Sequence, residues 1–157
     1  MTLAPGFPAP NFSAPNAQGQ TISLSDFAGQ WLIVYFYPKD NTPGCTTEAI
    51  AFSEKLTEFA ALNARIVGVS PDSVISHGKF IEKHNLTIEL ISDPDHSIAE
   101  VYGAWGLKKF MGKEYMGIIR STFLIDPTGN VAKSWSNVRV KGHVEKVLET
   151  LKKLQNA

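Results

Sequence analysis

The one cysteine of this 157-residue chain, Cys45, stands in Thr42-Pro-Gly-Cys-Thr-Thr-Glu48, where an apolar run has ended and helical spacing begins. At a helix N-terminus the first backbone N–H groups have no intrahelical partners, and the dipole favours negative charge. A thiol placed there is favoured as its thiolate, the nucleophilic form. Pro43 and Gly44 let the backbone turn tightly without a competing side chain. The ordinary reading of a lone cysteine is a small buried hydrophobe. Such a residue belongs on an apolar face inside an element, whereas Cys45 lies in a polar loop-to-helix junction between Thr42 and Thr46. A single cysteine also excludes an internal disulfide, a CxxC redox centre and a cysteine-rich zinc site.

Other residues that could do chemistry are less ordered. His77, His84, His96 and His143 are scattered without metal-ligand spacing, and each reads as a surface histidine. His77 and His84 could share a helix face, but no cysteine or paired carboxylates accompany them, so zinc is unsupported. A Cys–His hydrolase needs an imidazole beside Cys45; His96 or His143 could fold close, though no spacing requires it. Gly103-Ala-Trp-Gly106 lacks the strand-then-helix context of a nucleotide loop, and Trp105, Phe110 and Met111 read as core or loop packing.

Fifteen Lys and Arg balance 15 Asp and Glu, which removes the basic footprint of a general nucleic-acid binder. The first 25 residues carry no charged side chain, so the basic region of a secretory signal is missing. The longest apolar run, Trp31 to Tyr37, is too short for a membrane-spanning helix. These features predict a cytoplasmic protein with no membrane partner, folded as one domain over 1–157.

The elements that must position Cys45 follow from periodicity. Repeated prolines make residues 1–20 an extended arm. Trp31–Tyr37 has no polar alternation and suits a central strand buried on both faces. After the loop from Pro38 to Gly44, Ala49, Phe52, Leu56 and Phe59 mark a helix that Asn63 stops. A strand at 65–69, a helix at 74–84, a strand at 88–91 and a short helix at 97–102 come next. Gly103 to Gly117 reads as a long ordered loop. Strands at 121–125 and 131–135 flank Asp126-Pro-Thr-Gly-Asn130, a turn signal. Val144, Val147, Leu148, Leu151 and Leu154 share a last helical face. This order predicts an α/β, thioredoxin-like fold with a mixed central β-sheet flanked by helices.

Phe36-Tyr-Pro-Lys-Asp-Asn-Thr-Pro-Gly-Cys-Thr-Thr-Glu48 resembles the peroxiredoxin active-site pattern of Pro, three residues, Thr, two residues, Cys. The wider match is to the bacterioferritin comigratory protein group, or peroxiredoxin Q, and it continues through Tyr102–Gly106, Gly112–Gly117 and Arg120–Asp126. The resemblance implies an antioxidant thiol peroxidase acting on hydrogen peroxide and organic hydroperoxides, without a cofactor, and a monomer. It makes Cys45 the peroxidatic cysteine, Thr42 the hydroxyl that bonds the peroxide, and Arg120 the cation that stabilises thiolate and peroxide. Pro38 becomes the shield of the pocket and Glu48 the acid that orients the arginine. Taken alone, Thr42 and Glu48 read as an ordinary helix start and Arg120 as a solvated strand end.

A thiolate is not enough for such chemistry. Lowering a thiol pKa from about 8.5 to about 6 raises the thiolate fraction at pH 7 roughly 30-fold. With a Brønsted slope near 0.45, each thiolate becomes about 13-fold less nucleophilic, and the net gain is only about two-fold. Most acceleration must come from orienting the O–O bond and stabilising the leaving oxygen. Arg suits that role better than Lys because its planar fork holds several partners.

Many members of the group place a resolving cysteine five residues after the first; here Ile50 stands there, expected to pack. The resemblance therefore implies a one-cysteine cycle, with the sulfenic acid on Cys45 reduced by glutathione with glutaredoxin, or by thioredoxin directly. The competing reading is a redox-sensing interaction protein that signals through mixed disulfides at Cys45.

Overall fold

The computed structural model describes residues 5–156. Its centre is a five-stranded sheet in the order β5-β4-β3-β8-β9. Strands β3 (Trp31–Phe36), β4 (Ala64–Ser70) and β5 (Glu89–Ser92) run parallel, and β8 (Ser121–Ile125) and β9 (Val131–Trp135) complete it antiparallel. Parallel neighbours require crossovers. These are supplied by α1 (Pro43–Glu54) with α2 (Leu56–Ala61), and by α3 (Val74–His84).

The absence of alternation in β3 has its reason in two cores. Leu32, Val34 and Phe36 point to one face, with Phe12, Tyr102 and Phe123. Ile33, Tyr35 and Tyr37 point to the other, beneath Phe52, Phe59, Phe80 and the apolar stripe of α5 (His143–Gln155). Each face of the strand is covered, so no position is left for a polar side chain. Both helices α1 and α5 therefore lie on the second face, and α1 begins where β3 ends.

Several sequence expectations need correction. The described part of the expected arm carries β1 (Ser13–Pro15), paired antiparallel with β2 (Thr21–Ser23), because Asn16 closes the turn with its own side chain; residues 1–4 lie outside the described residues. The expected loop from Gly103 to Gly117 is mostly a hairpin of β6 (Trp105–Phe110) and β7 (Lys113–Ile118). Its tip is Met111-Gly112, both at positive φ, the backbone that two-residue hairpins favour. Gly106 and Gly117 pair across the strands, and their glycine content hid the strand signal. The long first helix is interrupted for one residue at Lys55, while its stop at Asn63 has the expected left-handed backbone. Short α4 (Ser97–Val101) packs on the first core.

Candidate active site

Helix α1 opens with Thr42 as N-cap and Pro43 in the first turn, whose fixed φ is pre-set for a helix and whose missing N–H is no loss there. Thr42 does not cap with its side chain. Its hydroxyl donates instead to the Lys39 carbonyl at 2.8 Å, which tightens the loop and leaves oxygen lone pairs open. Cys45, the third helical residue, is 1% exposed and packs with Tyr35, Tyr37 and Ala49. The contrast drawn from sequence, core cysteine against helix-start cysteine, is thus overturned: Cys45 is both.

Arg120, just before β8, reaches across the sheet to this helix. Its Nη2 donates to Cys45 Sγ at 3.2 Å and its Nη1 to Glu48 Oε1 at 2.6 Å. The arginine side chain is 17% exposed and that of Glu48 is fully buried, so neither is the solvated group its residue type suggests. Gly44 makes room for the fork, since a Cβ there would sit 3.3 Å from Nη2. Pro38 is half-buried at the end of β3. Ile50 is half-buried and packs on the second core.

The electrostatics are those of a sealed site. Burial raises the Glu48 pKa to about 7, against the lowering effect of the Arg120 charge and hydrogen bond. Burial works to lower the Arg120 pKa, but Glu48 and Cys45 outweigh it and hold the guanidinium above its usual range. The second carboxylate oxygen of Glu48 and the Tyr35 hydroxyl are buried without a protein partner among the described residues. Burial, then the Glu48 charge, keeps Tyr35 protonated well beyond the usual tyrosine range.

Two histidines read as surface residues are buried. His77 faces Asp40 Oδ2 at 2.8 Å and the Ile91 carbonyl at 2.9 Å. Asp40 also accepts from Tyr37 and Ser76, and its backbone N–H donates to Asp72, so the loop before Cys45 is tied to α3. The available signal was His77 standing three residues before Phe80, on the helix face that turns to the sheet. His143 bonds Thr122 at 2.8 Å, and burial, then Arg120 and Lys146, lowers its pKa to about 4. The exposed Phe110 and Met111 likewise depart from their reading as packed residues.

A thiol under a fixed cation, with a carboxylate behind the cation, is an arrangement for stabilising sulfur and oxygen anions. The sequence matches the AhpC/TSA family over residues 5–134. It is 53% identical to Peroxiredoxin Bcp of Bacillus subtilis over 152 residues, 97% of each chain. The structure of a cysteine-to-serine mutant of Xylella fastidiosa PrxQ superposes with a TM-score of 0.93 at 38% identity, covering 99% of both chains. A yeast mitochondrial 1-Cys peroxiredoxin, described as resolved via glutathione/thioredoxin systems, superposes at 0.83 with 27% identity over 98% of this chain and 77% of its own. The chain belongs to the AhpC/TSA family, and within it to the peroxiredoxins, enzymes that reduce peroxides.

Proposed function

We propose that Cys45 is the peroxidatic thiol, that Thr42 and Arg120 activate the peroxide, and that an external thiol completes the cycle. The observation that carries this reading is the Arg120 fork, which spans Glu48 and the only sulfur nucleophile in the chain. The Cys45 thiolate attacks one oxygen of ROOH, the O–O bond breaks, and RO⁻ leaves to take up a proton as ROH. The sulfur becomes a sulfenic acid, Cys45–SOH. Thr42, its proton engaged by Lys39, accepts from the peroxide O–H and holds it in line. Arg120 offsets charge on the thiolate and then on the departing oxygen. Glu48 orients the guanidinium, Gly44 admits it, and Pro38 shields the pocket.

No second cysteine can condense with the sulfenic acid inside the chain. One thiol RSH forms Cys45–S–SR and water; a second releases RSSR and restores Cys45. The description of the yeast 1-Cys relative supports this assignment. Peroxide consumption with excess thiol tests it: wild type turns over many times, Cys45→Ser is inactive, and Arg120→Ala loses about 10²- to 10³-fold. A single stoichiometric turnover under every thiol tried would replace the enzyme cycle with the redox-sensor reading.

A further inference from the structure

Although the chain carries no net charge, its basic residues are unevenly placed around the thiol. A cavity of 380 Å³ opens beside Arg120 and is walled by Lys108 and Lys109 of the β6–β7 hairpin. Asn137 and Val138 also line a second cavity of 280 Å³ that carries Arg139, Lys141 and Lys146, so the two cavities are neighbours. The Val138 backbone N–H donates to the Arg120 carbonyl at 3.0 Å, which locks this second wall to the catalytic arginine. Six Lys and Arg line this groove of two neighbouring cavities, and its described lining contains no Asp or Glu. Lys109 is paired with Glu114 at 3.7 Å; among the described residues, no carboxylate lies within ion-pair distance of Lys108, Arg139, Lys141 or Lys146. Lys108 is half-buried, and burial, then the like charge of Arg120, holds its ammonium below the usual lysine range.

A groove of one sign focuses its field and gathers ligands of the other sign. Leu107, Ile119 and Val138 give it apolar wall as well, which suits a small organic anion better than an inorganic one. We propose that this groove is the docking site of the resolving thiol, and that the thiol is a small molecule bearing carboxylates. This rests on the external-thiol reading above. Cys45 is 1% exposed and Arg120 Nη2 lies 3.2 Å from its sulfur, so a thiol held in the groove beside Arg120 stands one side chain away from Cys45. Chemistry then proceeds as balanced above: the S–O bond of Cys45–SOH breaks, an S–S bond forms, and water leaves.

The test separates binding charge from sulfur reactivity. Wild type and Lys108→Gln/Arg139→Gln are oxidised with one equivalent of hydrogen peroxide, and loss of the sulfenic acid is timed with glutathione, neutral 2-mercaptoethanol and cationic cysteamine. The quantity read is the rate ratio of glutathione to 2-mercaptoethanol, in which any change at Cys45 itself cancels. It is expected to fall about tenfold in the double variant, and similarly in wild type at high salt. A second variant, Lys141→Glu, lowers it in the same direction and favours cysteamine. A ratio unmoved by variants and salt overturns the proposal while leaving the external-thiol cycle standing. Failure of all three thiols overturns that cycle and the proposal together. A rate with reduced thioredoxin that drops in these variants, while the glutathione ratio does not, assigns the groove to a protein partner and overturns the small-thiol site.

Discussion

Arg120 uses two different nitrogens for two different partners, sulfur at 3.2 Å and carboxylate at 2.6 Å. A lysine ammonium keeps the charge but cannot hold both in one plane. Arg120→Lys is therefore expected to lose about 10²-fold in the second-order rate with peroxide, read by stopped-flow fluorescence. A near wild-type rate would reduce Arg120 to a simple source of charge. Cys45, Thr42 and Pro38 were legible as a contiguous motif, since they lie within one loop and one helical turn. Arg120 was not legible from spacing: it lies 75 residues from Cys45, and only the strand pairing of β3 with β8 brings them together. Nor was the burial of Glu48, because an acid in a helix reads as solvated until its partner is known.

At the scale of elements, the loop between β3 and α1 is placed by α3. Asp40 and His77 meet with side chains 4% and 0% exposed, and the remaining His77 nitrogen faces a carbonyl, so both ring nitrogens have acceptors. Removing His77 leaves the Asp40 carboxylate buried with only the Tyr37 and Ser76 hydroxyls as side-chain donors, and leaves the Ile91 carbonyl without its imidazole partner. His77→Ala is expected to cost about 3 kcal/mol by urea denaturation, and to slow peroxide reduction because Thr42 follows Asp40 by two residues. A variant of unchanged stability would show that the pair does not hold the loop. Helix α3 was read with the bounds it has, and the structure adds Ser73 as its cap, the hydroxyl oxygen accepting from the Ser76 N–H. The role of His77 was missed because residue type outweighed its place on the inward face. The hairpin was missed for a different reason: strands facing solvent on both sides, with paired glycines, carry little apolar alternation.

For the molecule as a whole, two buried groups act on stability in opposite senses. Glu48 titrates near 4.5 when unfolded and about 7 when folded, so the native state binds more protons between these values. Stability from this group is full below about 4.5 and is lost as pH rises through about 7. His143 moves from 6.5 to about 4, so the unfolded state binds more protons there, and stability is lost as pH falls through that window. The Tm of Glu48→Gln relative to wild type is expected to rise from about pH 5 to about pH 8, and that of His143→Gln to rise as pH falls from about 7 to about 5. Parallel curves for either variant would show that its group is not the one titrating. The strands and helices of the central sheet were legible because that sheet is buried on both faces, whereas the two small hairpins outside it were not; nor was the charge distribution, since balanced totals conceal where each sign gathers.

The β6–β7 hairpin stands outside the central sheet and forms its own two-stranded ladder, rooted where the Ile119 N–H meets the Ala104 carbonyl. Its outer residues, among them Leu107, Phe110, Met111, Tyr115 and Met116, are exposed, so little of the core depends on them. Such a segment is an interchangeable part. Changes to its outer side chains are thereby uncoupled from the central sheet, so this stretch can vary in composition at little cost to the survival of the fold.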